Sequence, residues 1–167
     1  MGEAEAKSAL LAIYDRALPQ VYGYLYDRCR DVPTAEDLTA ETFVAAVRAA
    51  GRSDEVSVPW LIGVARHKLV DHWRRRDRDE RLVARISDQP VERNDPWDVQ
   101  LDALRVADVL ARLGPHHRVA LTLRYVDGLP VPEVAGLLGR TVHATEALLV
   151  RARGAFRRLY ESGEGDA

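Results

Sequence analysis

Apolar residues recur along this chain at steps of three and four, and the strict alternation that marks a half-buried strand is almost absent. The pattern predicts a helix from Lys7 to Arg30, with Pro19 marking a break or a new first turn. A second helix opens at Pro33-Thr34, is capped by Thr34, carries Glu36 and Asp37 near its positive end and closes at Gly51. Its buried stripe is expected to be Leu38, Thr42, Ala45 and Ala49, while Asp37, Glu41, Val44 and Arg48 share another face. Gly51–Pro59 reads as a loop. A third helix starts near Trp60, runs into an arginine-rich segment and buries Ile62, Ala65, Leu69 and Trp73.

Residues 84–99 hold two prolines, four acids and no periodicity, the signature of an extended linker that keeps its flanks apart. Helical spacing then resumes. Ala103, Val106, Leu110 and Leu113 make one stripe, Gly114-Pro115 a helix-to-helix junction, and Val119, Leu123 and Val126 the next stripe, ended by Asp127-Gly128. A short helix from Pro132 to Leu138 and a turn at Gly139-Arg140-Thr141 lead into a last helix reaching about Tyr160. Its seam is Val142, Thr145, Leu149, Ala152, Phe156 and Leu159. The fold class is therefore all-α: two small helical modules, 7–83 and 100–160, joined by a flexible acidic linker over 84–99.

Composition fits this picture. With 47% apolar and 30% charged residues in 167, the chain can build cores, and no apolar run is long enough to span a membrane. The amphipathic, acidic N-terminus does not resemble a signal peptide, so the expected setting is soluble and cytoplasmic. One cysteine, Cys29, removes any internal disulfide framework or cysteine-rich zinc site, and it reads as a buried helix residue. The net charge of −2 hides a pattern: residues 66–81 carry seven bases against four acids, and 140–158 five arginines against Glu146 alone. Residues 1–65, 82–104 and 159–167 are net acidic. Counterion release from nucleic acid depends on local charge, so two basic blocks outweigh the near-neutral total.

The segment Leu129–Arg153 has a short helix with small Ala135 at its packing site, a tight turn at Gly139 and a longer helix bearing arginines. That order describes a helix-turn-helix, whose second helix enters the major groove with its N-terminal residues near base edges. Arg151, Arg153, Arg157 and Arg158 are expected to cluster on its exposed side. The histidines suggest a metal only weakly: His67 and Asp71 are one turn apart, but His72 points about 100° away, and adjacent His116 and His117 cannot face one ion. No glycine-rich phosphate loop, nucleophile elbow or cysteine–histidine pair is present, so no enzyme activity, metal or cofactor is expected.

Four stretches, AEDLTAETFVAAV (35–47), PWLIGVARHKLVDHWRRRDR (59–78), LGPHHRVALTLRYVDGLPVPEVAGLLGRTV (113–142) and LLVRARGAFRRL (148–159), together resemble the sigma factors of bacterial RNA polymerase, extracytoplasmic-function group. The resemblance implies a reversible polymerase subunit. Its first module would bind core RNA polymerase and open the minus-ten element; its second would read the minus-thirty-five element. It places Asp37, Glu41 and Arg48 on core polymerase, and Arg66, His67, Asp71, Arg74 and Arg75 on promoter DNA. In the helix-turn-helix it places Arg140, Thr141, His143, Ala144, Glu146, Ala147, Arg151 and Arg153 on promoter DNA. An anti-sigma factor is a further implied partner, and membrane insertion is not expected.

Strand opening without fuel needs bases captured by stacking and positive charge. Trp60 and the basic residues of 66–76 can supply both, whereas Trp73, on the apolar stripe, is assigned to the core. His67 stands where the family usually has Asn, Ala40 where it often has Gln, and Glu146, Ala147 and Leu148 where a Lys-Ser-Arg-like trio is commoner. Glu146 either accepts from a cytosine amine or sits near the backbone, and Leu148 is expected to meet a thymine methyl or a protein partner. The alternative function is a stand-alone helix-turn-helix regulator with an N-terminal dimerisation or sensing module. The basic, tryptophan-bearing segment Trp60–Arg78 argues against it, since a regulator has no need of that helix.

Overall fold

The structure, a computed structural model, describes residues 3–49, 56–83 and 103–163; the expected linker 84–99 and the loop tip through Glu55 lie outside them. The described elements are helical: α1 (Glu3–Cys29), α2 (Val32–Ala49), α3 (Val58–Val83), α4 (Ala103–Arg112), α5 (Pro115–Leu121), a π-turn (Thr122–Val126), α6 (Val131–Leu138) and α7 (Val142–Ser162). Contacts group them into two compact units, Met1–Asp71 and His72–Ala167, so the last turns of α3 belong with α4–α7.

In the first unit α1 packs along α2. Pro19 does not break α1: it costs the helix one backbone donor, and the helix continues because Ala17, Val21, Leu25 and Cys29, one turn apart, are all buried. The helix ends at Arg30, whose φ of 54° is left-handed, with its N–H donating to the Tyr26 carbonyl at 2.8 Å. The cap of α2 is Asp31 rather than Thr34. Its Oδ2 accepts from the Thr34 N–H at 3.0 Å, because the helix already starts at Val32 with Pro33 in its first turn.

The buried face of α2 is Ala35, Leu38, Thr39, Thr42, Phe43 and Ala46, and Ala45 and Ala49 are only half-buried. The two buried threonines each donate to a carbonyl four residues back, Thr39 to Ala35 at 2.6 Å and Thr42 to Leu38 at 2.7 Å. Each hydroxyl is thus paired inside an apolar seam. On α3, which starts at Val58 with the Trp60 N–H directed at Ser57 Oγ (3.4 Å), Leu61 takes the core place expected for Ile62.

In the second unit α7 is the spine, against which α4, α5 and α6 pack. Val109, not Val106 or Leu110, is the buried residue of α4. The corner between α4 and α5 is closed by Arg118, whose Nε donates to the Leu110 carbonyl at 2.9 Å. Val126, expected in the core, is half exposed: the Asp127 N–H reaches back five residues to Thr122 at 2.9 Å, and this wider turn swings Tyr125 and Val126 outward. Arg105 holds the two ends of the unit together. Its guanidinium lies 4.0 Å over the Tyr160 ring and donates to the Tyr160 carbonyl. Arg105→Ala is expected to lower unfolding stability by about 1–2 kcal/mol, read by denaturant titration, with helical content retained.

Candidate nucleic-acid interface

Three surfaces emerge from this framework. On α2, Asp37, Ala40, Glu41, Val44 and Arg48 are exposed together, opposite the core seam. Ala40, Glu41, Val44 and Arg48 border an open groove that Ala45, Ala49 and Lys68 complete, with Lys68 3.9 Å from Glu41. Val44 is 50% exposed in that groove, an apolar spot ringed by charge.

On α3, His67, Asp71, Arg74 and Arg75 are exposed and Arg66 is half-buried; residues 67, 71, 74 and 78 follow one helical face. Neighbouring Arg76 and Arg81 have carboxylates one turn away, Glu80 at 3.7 Å and Asp77 at 3.0 Å. Trp73 is 1% exposed, as its stripe position requires, and Trp60 is half-buried in the first turn of α3.

The third surface is the helix-turn-helix. Gly139 adopts φ 62°, a conformation that excludes most side chains, and the Arg140 N–H donates back to the Ala135 carbonyl at 3.0 Å, which stops α6 sharply. Thr141 then caps α7, its Oγ1 accepting from the Ala144 N–H at 3.1 Å. Arg140, Thr141, His143 and Glu146 are exposed at the start of α7, with Ala144 and Ala147 half-buried beside them. Leu148 is different from expectation. It is 1% exposed, because it lines the same recess as Leu138, Val119 and Trp73. A side chain buried to this degree is a packing residue of α7 rather than a reading one.

The arginines of α7 do not form one cluster. Arg153 Nη1 donates to Tyr125 Oη at 3.0 Å, on the side of the π-turn. Arg151 and Arg158 lie on the side of His117, where both act on its ring. Tyr125 was missed by sequence reasoning; the signal was an Arg-Tyr pair interrupting an apolar run, and only the π-turn turns it outward.

Burial pushes His117 down to about 4, helped by His116, Arg151 and Arg158 and opposed by Asp77. Burial likewise lowers His116, with Arg81, Arg140 and Arg151 acting in the same direction against Asp77. His116 is thus neutral near pH 7, and its 3.1 Å contact with Asp77 Oδ1 is a hydrogen bond donated by Nδ1–H. Because both rings titrate lower folded than unfolded, the unfolded chain binds more protons between pH 6.5 and about 4. Stability should be complete above pH 6.5 and fall steadily as pH drops towards 4. Thermal unfolding of wild type and His117→Gln across that range checks this, the variant showing a shallower fall.

No group of three metal-ligating side chains is brought together among the described residues. The structure brings Asp37, Glu41 and Arg48 onto one surface and Arg140 to Glu146 onto another, while α3 carries its five candidates along one helix.

Known proteins share this arrangement. Residues 13–79 match the family model Sigma-70 region 2, and residues 103–156 match Sigma-70, region 4. The chain is 35% identical to the ECF RNA polymerase sigma factor BldN of Streptomyces coelicolor over 95% of its own length, but spans only 61% of that relative. It is 30% identical to the ECF sigma factor SigM of Bacillus subtilis, covering 92% of this chain and 96% of SigM. Among solved structures it aligns with CnrH in complex with the cytosolic domain of CnrY (26% identity, TM-score 0.51, 99% and 96% of the two chains). It shares its fold with the sigma factor RpoE of Bartonella quintana (20% identity, TM-score 0.53, 93% and 96%). Two matched regions in order, and full-length likeness to SigM, mean that the chain belongs to the ECF family of RNA polymerase sigma factors.

Proposed function

We propose that this sigma factor docks on core RNA polymerase through the α2 face of Asp37, Glu41 and Arg48 and directs initiation at a subset of promoters. In this reading α3 acts at the minus-ten element through Arg66, His67, Asp71, Arg74 and Arg75. The start of α7, from Arg140 and Thr141 through His143, Ala144, Glu146 and Ala147, reads the minus-thirty-five element, with Arg151 and Arg153 on its phosphates. The chain performs no catalysis of its own and works in the cytoplasm beside the polymerase. Among the described residues no helix is long and apolar enough to cross a membrane. In this reading residues 7–83 serve core polymerase and the minus-ten element and residues 100–160 the minus-thirty-five element, although the compact units divide within α3, after Asp71.

The observation that carries this reading is the α2 face: charged and apolar side chains exposed together, on a helix whose opposite side holds the core. A stand-alone regulator that dimerises through α2 would not need the basic residues Arg66, Arg74 and Arg75 on α3. CnrH was solved bound to a second protein's cytosolic domain; an anti-sigma factor is the partner class proposed here. Run-off transcription with core polymerase and a genomic promoter pool tests the function. Discrete transcripts that require the chain are expected. Their absence, with tight binding of the free chain to duplex promoter, would establish the regulator instead.

A further inference from the structure

The π-turn Thr122–Val126 presents a side chain that the promoter contacts proposed above leave unused. Such turns are rare within helical structure and occur often at functional sites. Here the turn is pinned by backbone and side chain together. The Asp127 N–H donates to the Thr122 carbonyl at 2.9 Å and the Leu129 N–H to the Leu123 carbonyl at 3.0 Å. Arg124 Nη1 donates to the Leu129 carbonyl at 3.2 Å, and its guanidinium carbon stands 5.6 Å from the centre of the Tyr125 ring. Tyr125 is thus carried outward on a fixed base, 42% exposed, with its hydroxyl accepting from Arg153 Nη1 of α7 at 3.0 Å.

From this geometry we infer that Tyr125 is a positioning residue for promoter recognition: its hydroxyl aims the Arg153 guanidinium at one phosphate strand beside the minus-thirty-five element. The inference rests on the proposed placement of Arg153 on phosphate. A hydrogen bond between exposed groups adds little to stability. Its larger effect is on Arg153, whose long side chain loses most of its rotamer freedom once one nitrogen is anchored. The guanidinium keeps its planar fork, the shape that suits phosphate. A phenol is also the right anchor chemically, because it accepts a hydrogen bond without carrying charge. A carboxylate in its place would pair with Arg153 and cancel the charge that displaces counterions from DNA. Arg151 and Arg153 are two positions apart and so leave α7 on opposite flanks, Arg151 on the side of His117 and Arg153 on the side of the π-turn. A helix in the major groove has one backbone on each side. Arg153, supported by Tyr125, thus serves one strand and Arg151 the other.

Holoenzyme assembled with the full chain tests this on a promoter recovered from the genomic pool, as duplexes with a single methylphosphonate at successive positions of either strand. Each methylphosphonate removes one phosphate charge, and wild type should lose affinity at positions on both strands. Arg153→Ala should bind the unmodified duplex about tenfold more weakly and become insensitive at one position of one strand. Tyr125→Phe keeps the ring and removes only the acceptor. It should weaken binding about threefold and blunt the response at that same phosphate. The response on the opposite strand should survive, and Arg151→Ala should remove that one instead. In the Arg153→Ala background Tyr125→Phe should cost nothing more, since the hydroxyl then has no guanidinium to aim. An equal loss in both backgrounds would make Tyr125 a structural residue and overturn the inference. So would a Tyr125→Phe profile identical to wild type while Arg153→Ala loses its phosphate. Loss of the same strand's response by Arg151→Ala and Arg153→Ala would overturn the division between strands. Full affinity and an unchanged profile in Arg153→Ala would instead refute the placement of Arg153 on phosphate, and the inference would fall with it.

Discussion

Reversing Asp37 and Glu41 together to lysine is expected to abolish co-purification with core RNA polymerase while circular dichroism stays that of the native chain. Both side chains are exposed, and the core of α2 runs along Leu38, Thr39, Thr42 and Phe43, so the substitutions displace no packed atom. At position 41 the change also puts a lysine where Glu41 now faces Lys68 at 3.9 Å. An acceptor of positive charge thereby becomes two like charges at the groove rim. Placing like charges at a docked surface costs several kcal/mol, so a loss of at least a hundredfold, about 3 kcal/mol, is expected. Arg48→Glu should act in the same direction but more weakly, since it is one charge at the end of the helix. Val44→Asp separates charge from shape: it leaves Asp37 and Glu41 in place and removes the apolar spot, and should weaken docking without reversing either acid. Retention of the Asp37→Lys, Glu41→Lys variant on core enzyme would mean that another face docks.

That face was legible in the chain because two periodicities coexist in α2, one apolar and one charged, and a regular helix keeps them on opposite sides. The same logic gave most of the seam of α7: Thr145, Leu149, Ala152 and Phe156 are buried as their spacing demands, whereas Val142 in the first turn is 43% exposed and Leu159 near the end is half-buried. It failed where backbone departs from regularity. Val126 follows the correct spacing for an α-helix, and the π-turn rotates it outward by adding a residue to the turn. It failed also where a neighbour distant in sequence decides burial. Nothing local to Leu148 says that it lies in one recess with Trp73, seventy-five positions away. Proline 19 misled for a third reason: a missing donor is a local cost, and the buried stripe through Ala17, Val21 and Leu25 outweighs it. Among the candidate site residues, exposure at Arg140, His143 and Glu146 followed from their place between the turn and the apolar seam, whereas the partners of Arg151 and Arg153 did not, because they come from α5 and the π-turn.

Glu146 and Arg151 should separate cleanly in their effects on promoter choice. Arg151 lies beyond the first two turns of α7, where it acts on the rings of His116 and His117, and in the proposed reading it is expected to meet DNA at the backbone. Arg151→Ala should weaken every promoter alike and reduce the salt dependence of binding by about one counterion. Glu146 is exposed in the second turn of α7, one position past buried Thr145. A carboxylate near phosphates costs affinity unless it gains something specific, and an acceptor aimed at the major groove gains the cytosine N4 amine. Glu146→Ala is therefore expected to relax discrimination at one base pair of the minus-thirty-five element by roughly 1–3 kcal/mol. Overall affinity for mismatched elements should rise, because the same change removes a repulsion. Glu146→Gln adds a second test, since an amide can accept but also donates; it should shift preference at that pair towards adenine rather than merely flatten it. Selection from randomised minus-thirty-five elements with holoenzyme reads all three variants at once. Identical sequence profiles from wild type and Glu146→Ala, with uniformly tighter binding by the variant, would show that the carboxylate faces backbone and that specificity comes from the residues around it.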